Sequence, residues 1–291
     1  MFEGFESKTV NVGAVDIHAR VGGSGPPLLL LHGYPQSHVM WHAVAARLAK
    51  DFTVVCADLR GYGDSSKPSG GADHAAYAKR AMAADQVKLM AALGFARFSV
   101  AGHDRGARVV HRMCLDHPGC VERAAVLDIA PTATMFENAD KAFGLGYYHW
   151  FFLAQPAPFP ERLIGADAGF FLDWTLDAWS GLKDCFAPEA LAEYHRCFAD
   201  PATIHASCED YRAAATVDLD HDALDDDARI QCPLLVLWGA MGKVGAWYDV
   251  VPTWQDKALD VQGRALDCGH FMAEELPEQT ADALRAFFTA P

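Results

Sequence analysis

The feature that most constrains this fold is an apolar run that ends in a sharp turn flanked by glycines. Residues 98–101 are largely apolar and β-prone, and Asp104 follows between Gly102 and Gly106. Glycines fit where a strand and a helix approach closely around such a turn. We therefore predict a strand–turn–helix unit that presents Asp104 at the carboxyl end of a strand. The helical side comes from the spacing of Val109, Val110, Met113 and Cys114.

A carboxylate at this position favours covalent chemistry. Asp104 would lie beside the N–H groups and positive dipole end of the following helix, where it could attack carbon and form an alkyl-enzyme ester. An aspartate that only caps a helix is a common alternative. The two flanking glycines and the preceding apolar run favour the nucleophile.

Composition limits the class of protein and its partners. The chain has 291 residues, of which 51% are apolar, enough for a buried core. No run reaches the roughly 18 apolar residues of a membrane span, and residues 1–7 do not resemble a secretory signal, so we expect a cytoplasmic protein. A net charge of −14 disfavours nucleic-acid and membrane partners. Eight cysteines without a CxxC pair predict reduced thiols rather than a metal site.

The order of predicted elements indicates an α/β protein with an insertion. A hairpin over residues 7–21 is followed by strands that alternate with helices, which predicts a parallel sheet with catalytic loops at the strand carboxyl ends. The alternation stops over residues 132–215, which are helical and rich in aromatic side chains. We therefore predict a core of residues 1–131 and 216–291 and a helical cap of residues 132–215. The predicted later strands cover residues 28–31, 52–57, 98–102, 124–127, 234–238 and 264–266, and a long helix is predicted over residues 75–93.

The chain resembles α/β hydrolases along nearly its whole length. The resemblance lies in His32-Gly33, Asp58–Gly63, the turn at Asp104, the cap, and Gly269-His270. It implies the α/β-hydrolase fold, a mostly parallel twisted sheet flanked by helices with an inserted helical cap.

Within this superfamily an aspartate nucleophile resembles epoxide hydrolases and haloalkane dehalogenases, which usually carry Trp after it. Here Arg105 follows, and Asp104–Arg108, His149-Trp150 and Glu209–Arg212 together resemble fluoroacetate dehalogenases. That resemblance implies hydrolysis of haloacetates, most directly fluoroacetate to glycolate and fluoride. It also implies a small anionic haloacid and water as substrates, no metal or organic cofactor, and a homodimer.

A catalytic triad is predicted in the chain order Asp104, Asp128, His270. His270 follows Gly269 in a late loop, where the fold places its base, and would activate the water that hydrolyses the ester. An acid should orient its imidazole. The loop after residues 234–238 has no carboxylate before Asp249, so we favour Asp128, which the resembled family uses, with Asp249 as the alternative.

Two arginines are predicted to bind the substrate carboxylate. Arg105 and Arg108 are three residues apart on one helix face, and guanidinium groups match carboxylates in two-point geometry. An uncharged substrate would leave both cations buried and unpaired, which is costly. The resemblance also implies an oxyanion hole formed by the backbone N–H groups of Tyr34 and Arg105.

Cap side chains are predicted to bind the departing halide. Fluoride concentrates charge and needs hydrogen-bond donors as it leaves. The resemblance assigns this role to His149, Trp150 and Tyr211, and Trp179 is a further pocket candidate.

Other functions remain open from the sequence. An epoxide hydrolase could use Tyr147, Tyr148 or Tyr211 as acids, and a dehalogenase of other 2-haloacids or haloalkanes would share the nucleophile. A non-catalytic ligand-binding relative of this fold is a third possibility. The sequence leaves halide preference and stereochemistry open.

Overall fold

A single sheet of eight strands organises the protein. The computed structural model describes residues 1–290. The spatial order of the strands is β1-β2-β4-β3-β5-β6-β7-β8. β1 pairs with β2 and β2 with β4 in antiparallel fashion, and all other neighbours are parallel. The strands are β1 Glu6–Asn11, β2 Asp16–Gly23, β3 Pro27–Leu31, β4 Thr53–Ala57, β5 Phe98–His103, β6 Val121–Leu127, β7 Leu234–Gly239 and β8 Val261–Leu266.

Burial of the strands follows their composition. β3, β4 and β5 are buried over almost their whole length, which is typical of parallel strands covered on both faces. β1 and β8 are more exposed and form the two edges of the sheet. The predicted hairpin and the mostly parallel sheet are therefore confirmed.

Fifteen α-helices lie within residues 1–290, and those before β6 and after β7 cover the sheet. The helix that follows Asp104 packs against β5, β6 and the helix before it. The helices are α1 His42–Leu48, α2 Lys79–Ala92, α3 Arg105–Asp116, α4 Thr132–Glu137, α5 Lys141–Gly146, α6 Tyr148–Leu153, α7 Phe159–Ala166, α8 Ala168–Trp179, α9 Pro188–Phe198, α10 Pro201–Ala214, α11 Val217–Leu224, α12 Val244–Trp247, α13 Val250–Gln255, α14 Met272–Glu275 and α15 Pro277–Phe288.

The helices α4–α11 follow one another between β6 and β7 without an intervening strand. Among them, α10 lies against α6, α7, α9 and α11. This is the segment in which the sequence predicts an inserted cap. The boundary at residue 215 stays a prediction, since α11 begins at Val217 and also contacts α4.

Two local details differ from the sequence prediction. A single helix was expected over residues 75–93, but a 3₁₀ turn at Ala75–Tyr77 precedes α2, and the extended ψ of 142° at Ala78 separates them. β6 and β8 begin three residues before the predicted starts. Val121 of β6 pairs with Phe98 ahead of a shift in register, and Val261, Gln262 and Gly263 of β8 pair with β7.

The cysteines agree with the sequence prediction of reduced thiols. All eight are free; Cys56 and Cys114 are buried and Cys232 is half-buried. No helix within residues 1–290 is both long and apolar enough to cross a membrane.

Candidate active site

Asp104 lies at the turn between β5 and α3, as the sequence predicts. Its φ of 47° is in a region that non-glycine residues rarely adopt, and its side chain is buried. The turn leaves no space for a residue larger than glycine at positions 33 and 106. A Cβ atom on Gly106 would lie 2.4 Å from the His32 carbonyl oxygen, and one on Gly33 would lie 2.4 Å from the Cβ of Asp104.

The Asp104 carboxylate is ionised and held by a backbone donor. The N–H of Tyr34 donates to Oδ1 at 2.8 Å. The N–H of Arg105 belongs to the first turn of α3, where no helical carbonyl accepts it. Burial raises the pKa of Asp104, but the positive charges of His270 and Arg105 outweigh burial, and the pKa falls below its usual value. The group is therefore available as an anionic nucleophile.

His270 is oriented by Asp128. Oδ2 of Asp128 lies 2.6 Å from Nδ1 of His270, while the Gly239 N–H donates to Oδ1 at 3.0 Å. Nε2 of His270 is buried without a hydrogen-bond partner within residues 1–290. Burial lowers the pKa of His270, but the hydrogen bond and charge of Asp128 more than compensate, so the pKa is raised. The alternative acid, Asp249, is exposed at the start of α13.

The loop that carries His270 is fixed by contacts that the sequence does not predict. The His270 N–H donates to the Trp179 carbonyl oxygen at 3.0 Å, and Nε2 of His103 lies 2.8 Å from the His270 carbonyl oxygen. The buried Glu275 carboxylate accepts the N–H groups of Gly269 and Phe271. It also accepts those of residues 181 and 182, on the segment between α8 and α9. One carboxylate thus joins the loop that carries His270 to the segment between α8 and α9.

Arg105 is already paired with a carboxylate of the protein, whereas the sequence argument took it as a cation that an uncharged substrate would leave unpaired. Its Nε and Nη2 donate to the two carboxylate oxygens of Asp210 at 3.0 and 2.7 Å, and both side chains are fully buried. Burial lowers the pKa of Arg105, but the charge of Asp210 outweighs burial and raises it, so the guanidinium stays charged. Asp210 lies in the Glu209–Arg212 segment that carried the family resemblance, but no sequence feature paired it with Arg105.

Arg108 is a buried cation without a carboxylate ion-pair partner in the part of the chain that the structure describes. Nη1 donates to the Ala130 carbonyl oxygen and the Thr132 hydroxyl, each at 3.0 Å, and Nη2 contacts the Met135 sulfur at 3.0 Å. Among the described residues, no carboxylate lies within 4.0 Å of it to form an ion pair. Burial first, and then the charge of Arg105, lowers the pKa of Arg108 to about 10. It therefore remains protonated at neutral pH.

The three predicted halide ligands pack around these arginines. The Arg108 guanidinium carbon is 4.5 Å from the Trp150 ring centre, and that of Arg105 is 4.2 Å from the Tyr211 ring centre. The ring centres of His149 and Tyr211 are 5.6 Å apart. Burial lowers the pKa of His149 to about 3, so the imidazole is neutral.

Trp179, the further pocket candidate, contacts both a predicted halide ligand and the predicted base. Its ring centre lies 4.4 Å from that of His149 and 5.4 Å from that of His270. The predicted site residues that follow the strands and those on the helices between β6 and β7 therefore form one cluster.

The cluster contains several buried polar atoms without a hydrogen-bond partner in the described residues. Buried donors or acceptors are normally paired, yet six atoms here have no hydrogen-bond partner within residues 1–290. Two of these atoms belong to arginines, two to histidines and two to tyrosines. Positive charge and neutral polar groups in one buried site suit a small, polar, negatively charged molecule. The atoms are His270 Nε2, Arg105 Nη1, Arg108 Nε, His149 Nδ1, Tyr211 Oη and Tyr34 Oη.

A group of side chains with metal-ligand chemistry lies elsewhere. His18, His38 and Asp58 bring ligand atoms within 4.8 Å of one another. Oδ1 of Asp58 accepts the His38 N–H at 2.7 Å and lies 3.0 Å from its Nδ1, while Oδ2 accepts the Asp64 N–H at 3.0 Å. These hydrogen bonds explain why the three side chains lie together: the Asp58 carboxylate holds the loop that follows β3.

Comparison with known proteins agrees with this geometry. Residues 26–277 match the model of the alpha/beta hydrolase fold family. The chain is 51% identical over 290 residues to a fluoroacetate dehalogenase of Burkholderia sp, covering 99% of this chain and 95% of the relative. It is 36% identical over 280 residues to a soluble epoxide hydrolase of Corynebacterium sp. (strain C12), covering 94% and 93%.

A solved structure extends the similarity to the whole backbone. The protein ALR0039 of Nostoc sp PCC 7120 shares 55% identity with a TM-score of 0.99, and each chain is covered completely. The chain therefore belongs to the α/β-hydrolase fold family, in the group of hydrolases that includes fluoroacetate dehalogenase and soluble epoxide hydrolase.

Proposed function

We propose that this enzyme hydrolyses haloacetates, and that its best substrate is fluoroacetate, which it converts to glycolate and fluoride. The observation that carries the proposal is Arg108, a buried cation that has no carboxylate partner within residues 1–290. It lies on α3, as does Arg105, the residue that follows Asp104. A buried unpaired charge is costly unless a ligand pairs with it. The 51% identity to a fluoroacetate dehalogenase supports the same substrate class.

The first step is displacement of the halide. Oδ1 of Asp104 is held by the Tyr34 N–H, so Oδ2 attacks the carbon that bears the halogen. The carbon–oxygen bond forms as the carbon–halogen bond breaks, and the bonding pair leaves with the halide. Arg105 and Arg108 hold the substrate carboxylate. His149, Trp150 and Tyr211 stabilise the departing anion, each as a preorganised donor.

The second step hydrolyses the ester. Nε2 of His270 takes a proton from water, and the hydroxyl oxygen adds to the Asp104 carbonyl carbon. The N–H groups of Tyr34 and Arg105 stabilise the negative oxygen, each by on the order of 3 kcal/mol. Collapse of this intermediate releases glycolate, whose oxygen receives the proton from His270. The proton of the hydroxyl group that stays on Asp104 is then lost to solvent, which restores the carboxylate. Asp128 stabilises the imidazolium throughout.

The test is halide release from fluoroacetate and chloroacetate, measured side by side with ion-selective electrodes on purified enzyme. Fluoride release at a catalytic rate supports the whole assignment. Chloride release alone keeps the nucleophile and the arginines but removes the fluoride role of His149, Trp150 and Tyr211. If neither halide appears and a terminal epoxide is opened instead, the related epoxide hydrolases become the better guide.

The proposal includes a homodimer formed through the helices that follow β6. Seven large apolar side chains are exposed on α5–α8, and apolar patches of this kind mark interaction surfaces. We expect the dimer mass by light scattering, loss of the dimer in Trp174→Asp, and no loss in Leu259→Asp, an exposed leucine outside this patch. We also propose a cytoplasmic location, which cell fractionation tests. The seven are Leu145, Tyr148, Phe151, Phe159, Leu163, Phe170 and Trp174.

A further inference from the structure

Asp210 occupies two of the three nitrogens of the Arg105 guanidinium. Nε and Nη2 donate to its carboxylate at 3.0 and 2.7 Å, and Nη2 also donates to its carbonyl oxygen at 2.9 Å. Nη1 is left as the only guanidinium nitrogen without a partner in the described residues, and it is buried. The guanidinium lies 4.2 Å from the Tyr211 ring centre. Arg105 can therefore turn just one nitrogen toward a ligand, in one orientation.

The positive charge of Arg105 is also balanced within the protein, by the Asp210 carboxylate. Asp210 accepts the ammonium of Lys79 and the Tyr62 hydroxyl, the latter at 2.8 Å. Lys79 in turn lies 3.2 Å from Oδ2 of Asp218. Two cations and two carboxylates thus form a buried, neutral network, and all four side chains are almost inaccessible to solvent.

The remaining charges leave room for one carboxylate. With Asp128 paired to His270, Arg108 is the cation of the site without an acidic partner in the described part of the chain, and Asp104 is the free anion. While Asp104 is ionised it already balances Arg108, so each carboxylate of a bound ligand adds to the negative charge of the site. After Asp104 has displaced the halide, its negative charge leaves with the halide ion, and Arg108 balances the one substrate carboxylate. A second carboxylate on the ligand would be buried with no cation to balance it.

We propose that Asp210 is a positioning residue that aims Arg105 and, by neutralising it, restricts this enzyme to substrates with a single carboxylate. This inference rests on the proposed function, since it takes Arg105 and Arg108 as the ligands of the substrate carboxylate. It extends that function to a substrate class: monocarboxylates bind and small dicarboxylates are excluded by charge rather than by size. Removal of the Asp210 charge turns Arg105 into a second free cation.

Oxamate and oxalate test the idea directly, because they have nearly the same shape but carry one and two negative charges at neutral pH. Their dissociation constants are measured by isothermal titration calorimetry on the wild-type enzyme and on Asp210→Asn. We expect wild type to bind oxamate at least about tenfold more tightly than oxalate. In Asp210→Asn that ratio should fall by about tenfold or more, as expected for one added charge at close range.

Asp218→Asn is the matched control. It removes an equally buried carboxylate from the same network, but Asp218 contacts Lys79 and not Arg105. The oxamate-to-oxalate ratio should change less than about threefold in this variant. Asp210→Glu keeps the charge but displaces the carboxylate, so the wild-type ratio of affinities should be kept. The kcat for the haloacetate should fall, because the guanidinium of Arg105 is no longer oriented toward the substrate carboxylate.

The ratio of two affinities does not depend on the fraction of active protein, so a merely structural role of Asp210 would leave it unchanged. Equal shifts in Asp210→Asn and Asp218→Asn, or an unchanged ratio in Asp210→Asn, overturn the proposal. If Asp210→Asn does not fold, wild type decides the question, and tight oxalate binding refutes it. Failure of the proposed function is seen separately, as absence of halide release from haloacetates.

Discussion

Oδ2 of Asp128 lies 2.6 Å from Nδ1 of His270, and this contact leaves Nε2 as the nitrogen of the imidazole without a partner in the described residues. A base must be neutral at the nitrogen that takes the proton, and its partner at the other nitrogen fixes the tautomer. Asp128 also raises the pKa of His270 against the opposing effect of burial. One carboxylate therefore determines both the orientation and the basicity of His270.

Asp128→Asn should shift the pH dependence of the reaction as well as reduce its rate. The base works only when His270 is neutral, so activity rises with pH as the imidazolium loses its proton. Because Asp128 raises the pKa of His270, its loss lowers that pKa and moves the acidic limb of the kcat profile to lower pH. The plateau should fall by on the order of 10³–10⁴-fold, since the tautomer is no longer fixed. A profile of kcat against pH measures both effects.

Asp249→Asn is the control for this prediction. Asp249 is the other acid that the sequence allowed, and it is exposed. Its substitution should leave both the limb and the plateau unchanged. A shifted profile in Asp249→Asn, with a normal profile in Asp128→Asn, would exchange the roles of the two residues.

The two arginines should respond in opposite ways when stability is measured. Arg108→Leu removes a buried cation without a carboxylate partner, so the melting temperature should stay the same or rise. Arg105→Leu deprives the buried Asp210 of its two-point partner and should destabilise the fold by on the order of 3 kcal/mol. Both variants should lose haloacetate turnover. Thermal unfolding with and without acetate measures the difference, and acetate should stabilise wild type only. A lower melting temperature in Arg108→Leu than in Arg105→Leu contradicts this prediction.

The parts of this site that could be predicted from sequence are those set by local patterns. The turn at Asp104 was predictable because its glycines and flanking apolar runs are contiguous. His270 was predictable because it follows the last strand and a glycine. Asp128 could be ranked above Asp249 because it directly follows an apolar strand.

The parts that could not be predicted depend on contacts between distant segments. Arg105 and Asp210 are 105 residues apart, and neither the helix pattern nor the spacing of either segment indicates the other. Glu275 joins the base loop to residues 181 and 182 through backbone N–H groups, which have no sequence signature. The 3₁₀ turn before α2 was missed because the alanines around it favour a continuous helix.

Tyr211→Phe should change halide selectivity without loss of stability. The Tyr211 hydroxyl is buried and has no partner in the described residues, so its removal breaks no protein hydrogen bond. It should slow fluoride release by about 10²-fold, the usual effect of one donor to a developing charge. Chloride, with more diffuse charge, should be affected less. Rates of halide release from fluoroacetate and chloroacetate give the ratio.

Tyr148→Phe provides a control tyrosine in another helix of the predicted cap, since Tyr148 is exposed and lies on α6 whereas Tyr211 lies on α10. Its fluoride-to-chloride ratio should equal that of wild type. Equal losses for both halides in Tyr211→Phe would assign the hydroxyl to the carboxylate end of the substrate instead of the halide.

His270→Asn should trap the covalent intermediate. Asp104 can still displace the halide, because that step needs no base, but no group remains to activate water against the ester. One equivalent of halide per active site should be released, and intact-protein mass spectrometry should detect the addition of one carboxymethyl group. Peptide mapping should locate the group on Asp104. The double variant Asp104→Asn/His270→Asn should release no halide and gain no mass, provided that the amide introduced at the nucleophile position has not deamidated. Repeated turnover in His270→Asn would mean that another group activates the water, and an adduct in the double variant would place the nucleophile elsewhere.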